Sequence, residues 1–164
     1  MMVGSYYRLR EQKLHPLLSA EIANALWAGV LPEEDCEWAV SELEKLTTPY
    51  GLMATADTDS HEQWDGLKFW AMHAKIAVQG LMDYGKIELA ERIALGFMKN
   101  AQAVFAKYGI TAEKYSVDGE VGGGGEYPVE PNMTMTNETL AYFASLFKSC
   151  EKVYTEEVRE PVAA

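Results

Sequence analysis

The lengths of the joints between this chain's helical segments constrain its fold more than any motif does. Apolar residues recur at three- and four-residue steps over 17–30, 33–46, 67–84, 86–108 and 136–150, a period that predicts five helices. The first two are joined by Leu31-Pro32 and the third and fourth by Gly85, so each pair is expected to fold back as an antiparallel hairpin. Segments 47–66 and 109–135 are instead longer than the ~12–15 residues that a structureless connection in a compact domain usually reaches, which marks them as functional or disordered. If the helices alternate up and down, both long connections emerge at one end and share a mouth.

Local chemistry supports the helix boundaries. In the fourth segment Ile87, Ala90, Ala94, Phe97, Met98, Ala101, Val104 and Phe105 form one apolar stripe, with Gly109 as the expected C-cap. Glu88 and Arg92 are four apart and are expected to pair on the exposed side. The second helix is expected to begin at Pro32, with Glu33, Glu34 and Asp35 in a first turn where the helix dipole favours acids. The third, carrying Trp70, Ile76, Val78, Leu81 and Met82, is apolar around much of its circumference and reads as a buried, inner helix.

Composition excludes several function classes. The chain has 164 residues, about one domain, and 48% of them are hydrophobic, so it can bury a core. Its formal net charge of -11, with basic residues scattered, repels phosphate backbones and anionic lipid, so neither nucleic acid nor membrane is an expected partner. No apolar run reaches the ~18 residues of a membrane span, and the first residues lack the apolar centre of a signal peptide. Both cytoplasmic and periplasmic locations stay open on that reading. Cys36 and Cys150 are far apart and are expected as free, buried thiols. His15, His61 and His73 share no ligand spacing, so neither a metal nor a cofactor is expected.

The long connections carry the polar chemistry. The first holds Asp57, Asp59, His61, Glu62, Gln63, Trp64 and Asp65, and the second Glu113, Lys114, Tyr115, Asp118, Glu120, Glu126, Tyr127 and Glu130. Aromatic faces beside carboxylates and amides suit a sugar, whose C–H face stacks on a ring while its hydroxyls need fixed donors and acceptors. The run Gly122, Gly123, Gly124, Gly125 allows backbone to approach a ligand closely. It is no phosphate cradle, because neither Lys-Ser nor Lys-Thr follows it and Glu126 would repel a phosphate.

Gln63-Trp64-Asp65 with Trp70-Ala71, Glu113-Lys114-Tyr115, and Gly122 to Pro128 followed by Thr136-Asn137 together resemble the α,α-trehalases, a family of glycoside hydrolases. The resemblance covers about residues 22–147. It implies an all-α chain whose helical hairpins form part of an (α/α)6 toroid with long loops at one end. It also implies hydrolysis of trehalose to two glucose units with inversion, which needs an acid and a base carboxyl roughly 6.5–9.5 Å apart with a water between. By position in the motifs, Glu113 matches the general base, and Glu126, Trp64, Asp65, Gln63 and Tyr127 match substrate-binding positions, with Gly122–Gly125 as the glycine loop. The implied partner is a small carbohydrate, trehalose or glucose.

The chain also departs from the family pattern. Its general acid and first signature belong upstream of anything present here, Leu67, Phe69 and Met72 replace residues of the second signature, and Met133 and Met135 stand in place of two aromatics. The expectation is a single domain over 1–164 that forms the carboxy-terminal portion of a trehalase-like catalytic domain, with 155–164 as a disordered tail. Inner helix faces would then be covered by an amino-terminal portion or by self-association. The alternative reading is a truncated, non-catalytic sugar-binding or interaction protein.

Overall fold

The computed structural model describes residues 7–8, 13–14, 17–56, 63–122 and 128–156. After a short antiparallel ladder of β1 (Tyr7–Arg8) and β2 (Lys13–Leu14) come α1 (Ile22–Trp27), α2 (Glu33–Leu46), β3 (Thr47–Thr48) and β4 (Gly51–Leu52). Then follow β5 (Phe69–Trp70), α3 (Ala71–Asp83), α4 (Ile87–Tyr108), β6 (Lys114–Tyr115), α5 (Thr134–Leu146) and α6 (Lys148–Glu156). Helices dominate, as expected.

Six helices stand among the described residues where five are expected, because the last segment breaks at Phe147. That residue is extended (φ -126, ψ 128) and buried, and its carbonyl accepts the Glu151 N–H to open α6. The result is three consecutive hairpins. α6 runs to Glu156, and the rest of the expected tail, from 157 onward, lies outside the described residues.

The first and third helices are also shorter than the period predicts, since their leading residues pair as strands. Residues 17–20 run beside 54–56, with Ala20 N–H donating to Ala54 O at 2.8 Å and Ala56 N–H to Leu18 O at 2.9 Å. Phe69 and Trp70 pair with Tyr115 and Lys114. Helix α2 matches its expected span, and Gly109 caps α4 in the left-handed region (φ 69).

Two layers result. α1, α3 and α5 pack side by side as an inner layer, and α2, α4 and α6 form an outer one. Cross-links show that neighbours within a layer run parallel: Lys75–Glu138 joins α3 to α5 at 2.7 Å, Arg92–Glu44 joins α4 to α2 at 2.6 Å, Lys86 pairs with Glu37, and Ser149 donates to Glu91 at 2.5 Å. Arg92 therefore reaches across to Glu44 instead of pairing with Glu88 along its own helix. These exposed pairs contribute little stability, at most ~1 kcal/mol each. Most of the cohesion comes from the interlayer core, where Phe97 meets Phe143 and Tyr115 edge-on, each large buried side chain contributing about 1.5–3 kcal/mol. The arrangement is part of a helical toroid, with inner helices parallel and every long connection at one end.

Among the described residues, exposed large apolar side chains stand both near the short turns and toward the long connections. Trp27, Val30 and Ile87 lie near the short turns, while Trp64, Leu67 and Met135 lie toward the long connections. The outward positions of α3, Met72, Lys75, Ile76 and Gln79, are half-buried and mixed in character.

Candidate active site

The two long connections are joined by backbone. β5 from the first pairs antiparallel with β6 from the second, placing Phe69 opposite Tyr115 and Trp70 opposite Lys114. On its other side β6 takes up the chain that returns at Val121 and Gly122, with Gly122 N–H donating to Lys114 O at 2.9 Å. Asp118 and Gly119 turn that return with φ 58 and 69. An Asp-Gly pair at positive φ is the strongest short hairpin signal a sequence carries.

Glu113 immediately precedes β6. Its N–H donates to Glu130 O at 2.9 Å, and Ala112 bridges Pro131, so its backbone is held from the far side of the second connection. Thr136 Oγ1 at the start of α5 donates to Ala112 O at 2.9 Å, and Ala112 N–H donates to the buried Tyr115 hydroxyl at 3.1 Å. The Glu113 side chain is half-buried, with Oε2 shielded from solvent. A carboxylate on backbone fixed at both flanks is oriented by that backbone, which suits a group that must aim at one bound atom.

An aromatic stack stands beside this strand. Trp64 lies flat on Trp70, with ring centroids 3.8 Å apart and planes 4° from parallel. Trp70 is buried while Trp64 is 45% exposed, so one indole anchors the other and leaves the outer ring accessible. Gln63 is fully buried, and its main-chain carbonyl accepts Trp70 Nε1–H at 3.2 Å. Asp65 is half-buried and accepts from Thr55 Oγ1 at 3.4 Å, while Gly66 N–H donates to the same hydroxyl at 2.9 Å. His73 in α3 sits 5.6 Å from the Trp64 ring, and burial pulls its imidazole below the ordinary histidine range against the opposing pull of Glu21.

Among the expected site residues, Gln63, Trp64, Asp65, Glu113 and Gly122 thus gather at the end where the long connections meet. Glu126, Tyr127, Gly123, Gly124 and Gly125, together with Asp57, Asp59, His61 and Glu62, lie outside the described residues. A concavity of about 780 Å³ on the outer face between α2 and α4 has none of these residues in its wall. The ion pair Arg92–Glu44 lies in its wall.

Three supports were not anticipated from the sequence. Asn100 of α4, buried, donates through Nδ2 to Ser116 O at 2.8 Å and to Tyr50 O at 3.5 Å, tying the two connections to one helix. The Tyr50 hydroxyl donates to Asp118 at the hairpin tip. Lys114 is completely buried and places Nζ 5.3 Å from the Trp70 ring centre. Among the described residues no group of three or more His, Cys, Asp or Glu is placed to hold a metal, and no helix is long and apolar enough to cross a membrane.

Parallel inner helices with carboxylates and an aromatic platform at the loop end define a partial toroid of the kind that houses glycosidases. The neutral trehalase Nth1 of Saccharomyces cerevisiae shares the fold, at a TM-score of 0.71 and 24% sequence identity over 90% of this chain and 27% of its own. The trehalase family profile matches residues 5–147, and the chain belongs to that family. It is 37% identical over 142 residues to a periplasmic trehalase of Pseudomonas aeruginosa, covering 85% of this chain and 24% of that protein. With a periplasmic trehalase of Xanthomonas axonopodis pv. citri it is 30% identical over 162 residues, covering 96% of this chain and 28% of that protein. The chain thus spans about a quarter of the length of these relatives.

Proposed function

We propose that this chain supplies the general base and one wall of the sugar pocket in an inverting, trehalose-hydrolysing glycosidase. The observation that carries the reading is the β5–β6 ladder, which brings the strand led by Glu113 against Trp70 and hence beside the exposed face of Trp64. In the proposed reaction Glu113 takes a proton from water as that water attacks the anomeric carbon, and the leaving glucose oxygen is protonated by a separate carboxylic acid. No position in this chain matches that acid. Trp64 stacks on the apolar face of a glucose ring, Asp65 and Glu126 accept from its hydroxyls, Gln63 holds Trp70 in place, and Tyr127 and the glycine run supply further substrate-binding positions. The rest of the toroid comes from a preceding portion or from another copy of the chain, and residues 1–164 act as one domain within it.

General-acid assistance contributes about 10²–10⁴-fold, so the 164-residue chain by itself is expected to release no measurable glucose from trehalose. The decisive test joins it to the amino-terminal portion of a relative such as the Pseudomonas aeruginosa trehalase and compares Glu113→Gln with the parent. Glutamine keeps shape and hydrogen bonding but cannot accept the proton. Turnover should drop by at least ~10²-fold while KM changes little. Parent-level turnover in Glu113→Gln would remove Glu113 from the role of base.

A further inference from the structure

Lysine is almost never completely buried unless its charge has been matched, and Lys114 is 0% exposed. A position needed only for packing would take Met or Leu at this length and avoid desolvating an ammonium. Three features converge on it. Its backbone is the β6 register partner of Trp70, and Nζ reaches over the Trp70 ring, 5.3 Å from the centre. Trp64 already fills one face of that ring at 3.8 Å, which leaves the opposite face for the ammonium. The methylene stem is covered by Gly122, where a Cβ would stand only 2.7 Å from Lys114 Cγ.

We propose that Lys114 is the positioning residue of the Trp64 platform, its ammonium seated on the inner face of Trp70 so that the stacked indoles, the Glu113 strand and the start of the glycine run move as one body. An ammonium on one face of an indole draws π density toward itself and makes the other face a better partner for a second electron-rich ring. The sugar-contacting ring is thereby held through Trp70 by the residue that follows the proposed base. The inference rests on the sugar-platform reading of Trp64 given above, and it adds the residue that sets the platform's geometry.

The test uses the full chain labelled with 5-fluorotryptophan, whose four indoles give separate ¹⁹F resonances assigned by single Trp→Phe replacements. Lys114→Met keeps the stem and removes the charge, and Lys114→Arg restores a cation that stacks on indole. The Met variant is expected to shift the Trp64 and Trp70 resonances while leaving Trp27 and Trp38 in place, and the Arg variant to return them most of the way. Glucose should perturb Trp64 in the parent, with its dissociation constant raised about three- to tenfold in Lys114→Met. Unmoved Trp64 and Trp70 signals in Lys114→Met, or equal glucose affinity in Met variant and parent, would overturn the proposal. If Lys114→Met does not fold, Lys114→Arg decides: parent-like Trp64 signal and affinity support the cationic seat, and displacement as large as that in Trp70→Phe refutes it. A Trp64 signal that follows the charge at 114 but ignores glucose in every variant would keep the mechanical link and sink the platform's sugar role.

Discussion

Replacing Gly96 by alanine tests how tightly the first long connection is seated on α4. An alanine Cβ there would stand 2.7 Å from Gly51 N, 3.0 Å from Pro49 O and 3.2 Å from Gly51 Cα, all backbone atoms that cannot swing aside as a side-chain tip can. The turn is itself braced, with Thr48 Oγ1 donating to Gly51 O at 3.0 Å and Tyr50 N–H to Thr48 Oγ1 at 3.1 Å. Overpacking of this kind costs about 1–3 kcal/mol, and the intrinsic helix preference of alanine over glycine returns about 0.8–1 kcal/mol. Gly96→Ala should therefore lose a net of up to ~2 kcal/mol, which for a chain of this size lowers Tm by up to roughly 8 °C. Urea denaturation followed by far-UV circular dichroism reads the loss as a lower midpoint at unchanged slope. A variant more stable than the parent, by the alanine preference alone, would show that the turn does not bear on α4 and would refute the reasoning.

Thr136→Val should cost about 1–2 kcal/mol, because it removes the hydroxyl that satisfies Ala112 O in a buried setting, and amide exchange at Glu113 should accelerate with it. An unchanged exchange rate would separate the α5 start from the Glu113 strand. Burial raises the Cys150 thiol from its ordinary 9.0 to about 11. The unfolded chain therefore ionises first as pH rises, and resistance to urea should fall progressively between about pH 9 and 11. Cys150→Ala should flatten that part of the profile, and an equal slope in parent and variant would assign it to another group. At pH 8 the thiol should resist a thiolate-directed reagent until the chain unfolds, and prompt modification of native protein would contradict its burial.

Much of the scaffold was legible because its signals were local. Pro32 followed by acids marked α2, and the apolar stripe ending at Gly109 marked α4 within a residue. Joint lengths alone put both long connections at one end. The misreadings share a cause: Phe69, Trp70 and Phe147 continue a helical apolar period while their backbones are extended, and neither Gly nor Pro punctuates the break. Pairing across the molecule prevailed over the period, as it did when Arg92 took Glu44 in place of Glu88. Within the candidate site, Glu113, Trp64 and Gly122 were visible as motif residues. Asn100 was not singled out and Lys114 entered only as a member of the Glu113-Lys114-Tyr115 motif, since an apolar-periodicity reading assigns charged and amide side chains to the surface, and only the folded chain reveals which are buried. Asp118-Gly119 was a missed local signal, a turn pair embedded in what read as an open loop.

The parallel course of the inner helices has an electrostatic consequence. α3 begins directly after Trp70 and α5 just beyond Asn132, so their amino-terminal ends both open toward the long connections, and neither carries a side-chain cap. Each such end presents about half a positive elementary charge. Antiparallel neighbours cancel such fields in part, and the carboxy-terminal ends of α2 and α4, which lead into the same long connections, stand at that end too. The inner rim of that end is thus faced by amino-terminal backbone and the outer rim by carboxy-terminal backbone, so a bound anion is favoured nearer α3 and α5 than α2 and α4.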